Sequence, residues 1–306
     1  MIDPEIAAAR AKQAASAAPF DITKMPITAA RPLANAMAMY FNDGTPALAQ
    51  VETFEIAGPG GPLRARLYRP EAPKRAVLYL HGGGWATCNV DTHDSLMRRL
   101  ALAGDCAVLG LDFRLAPEHP FPAPLDDAIA AWRWLHANAT KLALPTNQLG
   151  VAGDSAGANL AIGVSLRERD VGHEMPRATA CFYGAFAPTF NTSSYRELGD
   201  GRFGLTTERM RWYWTQFLGG TLAAPLLARP LDANLRGLAP IYLGIAALDP
   251  IADDSRALAQ RLAAANTDCE VDEWPGAVHG FMQMGRDVAL ARAAIAKAGD
   301  FLKRRL

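Results

Sequence analysis

No apolar run in the 306 residues approaches the ~20 needed to cross a bilayer, so no membrane-spanning helix is expected. The N-terminal stretch is alanine-rich, but Asp3, Glu5, Arg10 and Lys12 interrupt it, and it lacks the continuous apolar core of a signal peptide. A soluble, cytoplasmic protein without membrane partners is the expectation. Charge of either sign is also lacking, since 31 basic residues balance 31 acidic ones. That removes any electrostatic case for nucleic acid or an anionic membrane surface as a partner. Cysteine is scarce: Cys88, Cys106, Cys181 and Cys269 lie far apart, without the paired spacing of a zinc site or a redox C-x-x-C, and read as free thiols. There is no G-K-[ST] phosphate loop and no internal repeat. Neither a metal nor an organic cofactor is therefore expected, and the remaining partner class is a small molecule bound by a monomer or homodimer.

The chain does contain repeated strand and helix signals. Val51–Ile56 and Leu63–Arg69 alternate as two strands of a hairpin, with Gly58–Pro62 as the turn. The apolar runs Ala76–Leu80, Ala107–Leu111, Leu149–Ala152, Ala178–Tyr183 and Ile241–Ala246 read as buried strands, and Glu270–Trp274 as the last one. Helical stretches lie between them near Ser95–Ala103, Leu125–Ala137, Ala156–Glu168 and Asp253–Ala265. This alternation predicts an α/β fold with a mostly parallel central sheet flanked by helices. Two segments stand outside the repeat. One is the N-terminus, with helices predicted over 4–18 and Pro32–Phe41. The other is an insertion of more than fifty residues after the strand ending near Tyr183, carrying an aromatic helix over Thr206–Leu218. A structureless loop of that length is improbable, so both are expected to form one helical cap. The expected division is cap helices over 1–45, a catalytic core over 46–184 and 226–306, and a cap insertion over 185–225.

Gly153-Asp154-Ser155-Ala156-Gly157 matches G-x-S-x-G and falls between a buried strand and a helix. At such a turn a serine is held in a strained backbone conformation, flanked by glycines because side chains there would collide. Its hydroxyl then sits above a helix N-terminus, where the dipole favours developing negative charge. Ser155 is thus the candidate nucleophile.

A serine hydroxyl needs a base, and histidine suits the role because its unperturbed pKa of ~6.5 lies near neutrality. Where this turn carries a nucleophile, the acid and then the histidine follow it along the chain. Only His173 and His279 follow Ser155. His173 lies in a charged stretch, whereas His279 follows the last strand and is flanked by turn residues. Asp249, at the end of an apolar strand and before Pro250, is the candidate orienting acid. Its neighbours Asp253 and Asp254 read instead as first-turn residues capping the following helix. His81-Gly82-Gly83-Gly84-Trp85 follows the strand Ala76–Leu80, and its glycines let backbone N–H groups approach an oxyanion. Gly83, Gly84 and Ala156 are the candidate donors, and His81 a structural hydrogen-bonder that shapes the loop.

Taken together, HGGGW at 81–85, DFRLAPEHPFPAPLDD at 112–127, GDSAGANLA at 153–161, LDPIADDS at 248–255 and HGF at 279–281 resemble the hormone-sensitive lipase family of bacterial esterases. The resemblance runs from about residue 50 to the C-terminus. It implies an α/β-hydrolase fold with a helical cap, catalytic residues Ser155, Asp249 and His279, oxyanion amides on Gly83, Gly84 and Ala156, and hydrolysis of carboxylic esters through an acyl-enzyme. Tyr183-Gly184 and the run 249–256 look most like the acetyl esterases within that family, implying short acyl chains. Phe113, where the family usually has tyrosine, and Ala158, where it has glycine, are departures outside the triad. The segment Arg114–Pro124 reads as a brace. Substrates are expected to be small, uncharged esters, with walls drawn from Trp85, Asp154, Phe203, Trp212 and Trp214. An aromatic stripe at helical spacing is more often packed core, so one or two of the four aromatics are expected to reach the pocket.

Overall fold

The computed structural model describes residues 1–306. Eight strands form one sheet: β1 (Gln50–Gly58), β2 (Gly61–Arg69), β3 (Arg75–Leu80), β4 (Cys106–Leu111), β5 (Leu149–Asp154), β6 (Thr179–Phe182), β7 (Ile241–Leu248) and β8 (Cys269–Val278). Their spatial order is β1-β2-β4-β3-β5-β6-β7-β8. The hairpin β1–β2 is antiparallel and joins β4 antiparallel, while all pairings from β4 to β8 are parallel. Every residue of β4, β5 and β6 is buried, as strands covered on both faces require. The edge strand β1 is exposed or half-buried except at Ile56.

Helices α3 (Asp94–Gly104), α4 (Ala123–Asn138), α5 (Ala156–Val171), α8 (Ala252–Ala264) and α9 (Ala289–Arg305) flank the sheet. Helix α5 is buried almost all round, so it carries no amphipathic stripe. Gly172, with φ of 70°, ends it in the left-handed conformation that glycine adopts without strain. The seventeen-residue α9, outside the helices predicted from the sequence, packs against α3.

Helices α1 (Pro4–Ala15) and α2 (Ile27–Met39) form the N-terminal segment. Helix α2 begins five residues before the predicted start at Pro32, which lies inside it. Proline favours the first helical turn, where its missing N–H costs nothing, but here the helix starts at Ile27 and runs on through it. Helices α6 (Ser193–Leu198) and α7 (Thr207–Phe217) lie in the insertion, and Thr206 caps α7 by accepting from the Arg209 amide. The two segments root in opposite faces of the sheet. Met210, Trp214 and Phe217 of α7 join the apolar cluster of one face, and Ile6 and Ala9 of α1 join that of the other. They approach one another through the short turn Ile22–Lys24, which packs on α7. No helix is long and apolar enough to cross a membrane, and all four cysteines are free.

Candidate active site

The site grows from the carboxyl ends of the parallel strands. Ser155 lies between β5 and α5 with φ of 52° and ψ of −117°, a conformation unfavourable to a residue with a side chain. The neighbouring chain leaves no alternative. A Cβ on Gly157 would lie 1.9 Å from the Leu80 carbonyl oxygen, and one on Gly153 would lie 2.5 Å from the Gly157 backbone. The Ser155 amide donates to the Phe182 carbonyl at 2.8 Å, tying the turn to β6.

His279 follows β8, four residues further along than the predicted strand reached. Its Nε2 lies 2.9 Å from Ser155 Oγ and its Nδ1 lies 2.6 Å from Asp249 Oδ2. Asp249 is wholly buried, and its other oxygen accepts from the Ile251 amide at 3.1 Å. In this geometry Nδ1 can donate to the carboxylate while Nε2 is placed to accept from the Ser155 hydroxyl. The ring of Tyr183 packs edge-on to His279 with centroids 5.1 Å apart.

Gly83 and Gly84 have φ of 117° and 61°, so the loop after β3 curls in a way that suits glycine. A Cβ on Gly83 would strike the Thr87 carbonyl oxygen at 2.2 Å, and one on Gly84 the Tyr213 ring at 2.1 Å. The amides of Gly83, Gly84 and Ala156 donate to no other backbone or side-chain group, and all three residues border the same cavity as Ser155. His81 is buried, with Nδ1 at 2.7 Å from the Gly82 carbonyl and its ring stacked on Phe113 at 4.3 Å. Burial first, and then His93, push its pKa down to about 3, so it stays neutral. Phe113 thus supplies a stacking face where a tyrosine hydroxyl was absent.

Asp154 is buried on the cavity wall, and its carboxylate is tied to its neighbours. Its Oδ1 accepts from the Tyr79 hydroxyl and the Gly82 amide, each at 2.9 Å, and lies 3.3 Å from His93 Nε2. Burial alone would raise this carboxyl, and His93, Tyr79 and Gly82 outweigh it, leaving the pKa below the ordinary carboxylate range. Asp154 therefore fastens the serine turn to the glycine loop from its place on the cavity wall. His93 and Tyr79 carried no motif and were missed.

The cavity holds about 360 Å³, and a second of about 330 Å³ adjoins it at His279 and Gln283. Among the predicted walls, Phe203 lines the cavity. Trp85 borders it but is fully buried, stacked on Phe217 at 4.1 Å and tilted against Trp214 at 4.6 Å. Trp212 and Trp214 do not line it. Helical phase explains this: Met210, Trp214 and Phe217 share the core face of α7, which turns Arg209 and Tyr213 toward the cavity. Arg10 and Gln13 of α1 and Ala34 and Met37 of α2 complete the roof. Arg10 and Arg209 bring two guanidinium groups to the wall, side chains that the expectation of small, uncharged esters had not included.

Asp253 and Asp254 lie in the first turn of α8 as predicted, but their carboxylates do not cap that helix. Asp254 accepts from the amides of Phe186 and Ala187, and Asp253 from that of Ser194, so both fasten the start of the insertion. His173 is exposed, 3.5 Å from Glu168. In the predicted brace, Arg114 grips the buried Asp127 through both carboxylate oxygens.

Comparison with known proteins places these features in company. A family model described as alpha/beta hydrolase fold matches residues 77–283. The carboxylic ester hydrolase LipN of Mycobacterium tuberculosis is 38% identical over 76% of this chain, a match spanning 65% of that protein. The carboxylesterase NlhH of the same species is 34% identical over 75% of this chain and 73% of its own length. Among solved structures, the hyperthermophilic esterase of the archaeon Pyrobaculum calidifontis superposes with a TM-score of 0.93 at 31% identity, covering 99% of this chain and 98% of that one. An ester hydrolase from the metagenome of Lake Arreo, solved with a bipyridine phosphonate derivative, gives 0.92 at 32% identity, covering 99% of both chains.

Proposed function

Because the chain belongs to the hormone-sensitive lipase family of α/β-hydrolase-fold esterases, we propose that it is a serine carboxylesterase that cleaves esters of short acyl chains through an acyl-enzyme. The observation that carries this reading is the unbroken chain from Ser155 Oγ through His279 to the buried Asp249, at 2.9 and 2.6 Å. In the first half-reaction Ser155 Oγ attacks the ester carbonyl carbon while His279 Nε2 takes its proton. Asp249 stabilises the imidazolium without taking the proton itself. The carbonyl oxygen becomes an oxyanion, met by the unpartnered amides of Gly83, Gly84 and Ala156 at the N-terminus of α5. Collapse expels the alcohol, protonated by His279. Water then enters, gives a proton to His279 and attacks the acyl carbon; the second tetrahedral intermediate breaks its bond to Ser155 Oγ as His279 returns that proton to the oxygen, releasing the free acid.

The preference for short acyl chains rests on the roof. Each of the two adjoining spaces, about 360 and 330 Å³, is at the lower end of the ~300–1,000 Å³ common to ligand pockets. Tyr213 closes over Gly84 from above. On p-nitrophenyl esters kcat/KM is expected to peak at two to four acyl carbons and to fall by at least about tenfold at twelve; a steady rise to twelve carbons overturns the short-chain reading. Ser155→Ala is expected to lower kcat by at least about 10⁴-fold, since it removes the covalent route. A rate near that of the parent protein in this variant, confirmed folded by circular dichroism, refutes the mechanism. A fluorophosphonate, which mimics the tetrahedral intermediate, is expected to add one equivalent at Ser155.

A further inference from the structure

Two guanidinium groups line the cavity that contains Ser155: Arg10 from α1 and Arg209 from α7. Their neighbours in the same segments are occupied. Arg31 is bound to Glu118, Arg202 lies over the Phe203 ring and Arg211 over that of Phe190. Arg10 and Arg209 form no ion pair, and neither side chain donates to another group. Nε of Arg209 is buried without a partner. The acidic residue on the cavity wall, Asp154, is spent on Tyr79, Gly82 and His93. Burial lowers the pKa of Arg10, with no nearby carboxylate acting against it. Two half-buried cations without counter-charges are unfavourable in a partly dehydrated site. The guanidinium fork matches a carboxylate or phosphate in two-point contact better than any neutral group. Met37, Phe203, Leu205 and Met210 make the rest of the wall apolar.

We propose that the physiological substrate is a small ester that also carries an anionic group, a carboxylate or phosphate, gripped by Arg10 and Arg209 while Ser155 attacks the ester carbonyl. This rests on the ester-hydrolase reading above and narrows it. The anion belongs to either the acyl or the alcohol portion of the ester, and two pairs of substrates separate the cases. Monoethyl glutarate against ethyl pentanoate places the charge on the acyl side. 4-Acetoxybenzoate against methyl 4-acetoxybenzoate places it on the alcohol side.

Acid release by the full-length protein, followed in a pH-stat, gives the anionic-to-neutral ratio of kcat/KM for each pair. In at least one pair, Arg10→Gln and Arg209→Gln are each expected to lower that ratio about tenfold relative to the parent protein. Arg10→Lys and Arg209→Lys, which keep the charge but lose the fork, are expected to fall between the parent protein and the corresponding glutamine variants. Raising sodium chloride from 0.05 to 0.5 M is expected to lower the parent protein's ratio at least threefold, a reading that needs no variant to fold. If the ratio stays within twofold in both pairs, across the variants and across salt, the arginine assignment falls while the ester reading stands. If the parent protein cleaves none of the four compounds, the ester reading fails and takes this one with it.

Discussion

The floor of the cavity is held by backbone and its roof by side chains. On the floor, the positive φ of Ser155 and the close approaches at Gly83, Gly84 and Gly157, down to 1.9 Å, leave no room for a side chain at those glycines and hold the turn by the backbone. On the roof, α1 and α2 are joined by the Gln13 amide on the Met37 carbonyl, α2 is joined to the glycine loop by Asn35 on the Cys88 amide, and α7 leans on Gly84 through the face of Tyr213. Backbone constraints are satisfied by few sequences, whereas side-chain contacts can be met in many ways. A scaffold arranged like this can keep its chemistry while its roof changes substrate.

The sharpest way to break that contrast is a single methyl group on the floor. In Gly157→Ala the new Cβ meets the Leu80 carbonyl oxygen at 1.9 Å, its carbon at 2.5 Å and the His81 carbonyl oxygen at 2.7 Å, all of them backbone. Helix α5 must move away from β3, carrying Ser155 from the glycine loop. Loss of at least about 3 kcal/mol of stability and about 10³-fold in kcat is expected, read by urea unfolding and ester turnover. Gly220→Ala, on the insertion at φ of 95° with nothing within 4 Å, is expected to cost only the ~1–2 kcal/mol of the left-handed conformation. Equal effects at the two sites would remove the distinction between floor and roof.

The same contrast decides what the sequence could tell. Ser155, Asp249, His279 and the glycine loop could be read because each sits at a strand end whose backbone demands a recognisable residue: glycine where chains touch, apolar runs before the turn. The sheet was legible for the same reason. Arg10 and Arg209 could not be read, because α1 reaches the site through long-range bonds, from the Asp3 amide to the Gly276 carbonyl and from the Ala289 amide to Glu5. Tyr213 could have been found from helical phase alone, had the core stripe Met210, Trp214, Phe217 been taken as the inward face. The role of Asp254 was hidden because its partners, Phe186 and Ala187, are 68 and 67 residues away.

Asp254 stands at the seam where the insertion leaves the sheet, so it probes how firmly roof joins floor. Burial, opposed by the Phe186 and Ala187 amides and reinforced by Asp249 and Asp253, raises its pKa to about 7. In the unfolded chain this carboxyl loses its proton near pH 4. The folded state therefore holds a proton that the unfolded state does not between about pH 4 and 7. The stability this proton confers is complete below the unfolded value and disappears as pH rises through the folded one. Asp254→Asn cannot titrate. The stability of the parent protein relative to that variant is expected to fall by about 2 kcal/mol between pH 5 and pH 8, measured by urea unfolding. A constant difference across that range would mean that the carboxylate is charged throughout and that the seam is held by ionic hydrogen bonds.

The smallest effect expected concerns the roof's grip on the glycine loop. Arg31 of α2 donates through Nε to the Ala86 carbonyl at 2.7 Å and through a terminal nitrogen to the Ala116 carbonyl at 3.1 Å, and pairs with Glu118. The ion pair is partly exposed and worth little. The carbonyl contacts reach the segment that carries Gly83 and Gly84. Arg31→Gln is expected to cost about 1 kcal/mol of stability and to lower kcat by threefold to tenfold with a smaller change in KM, because donors that wander meet the oxyanion less well than the ground-state carbonyl. Glu118→Gln, which removes the ion pair and leaves the carbonyl contacts, is expected to stay within twofold of the parent rate. If the two variants lose activity equally, α2 acts on the loop through charge rather than through the backbone bonds, and the roof is less separable from the floor than its side-chain construction implies.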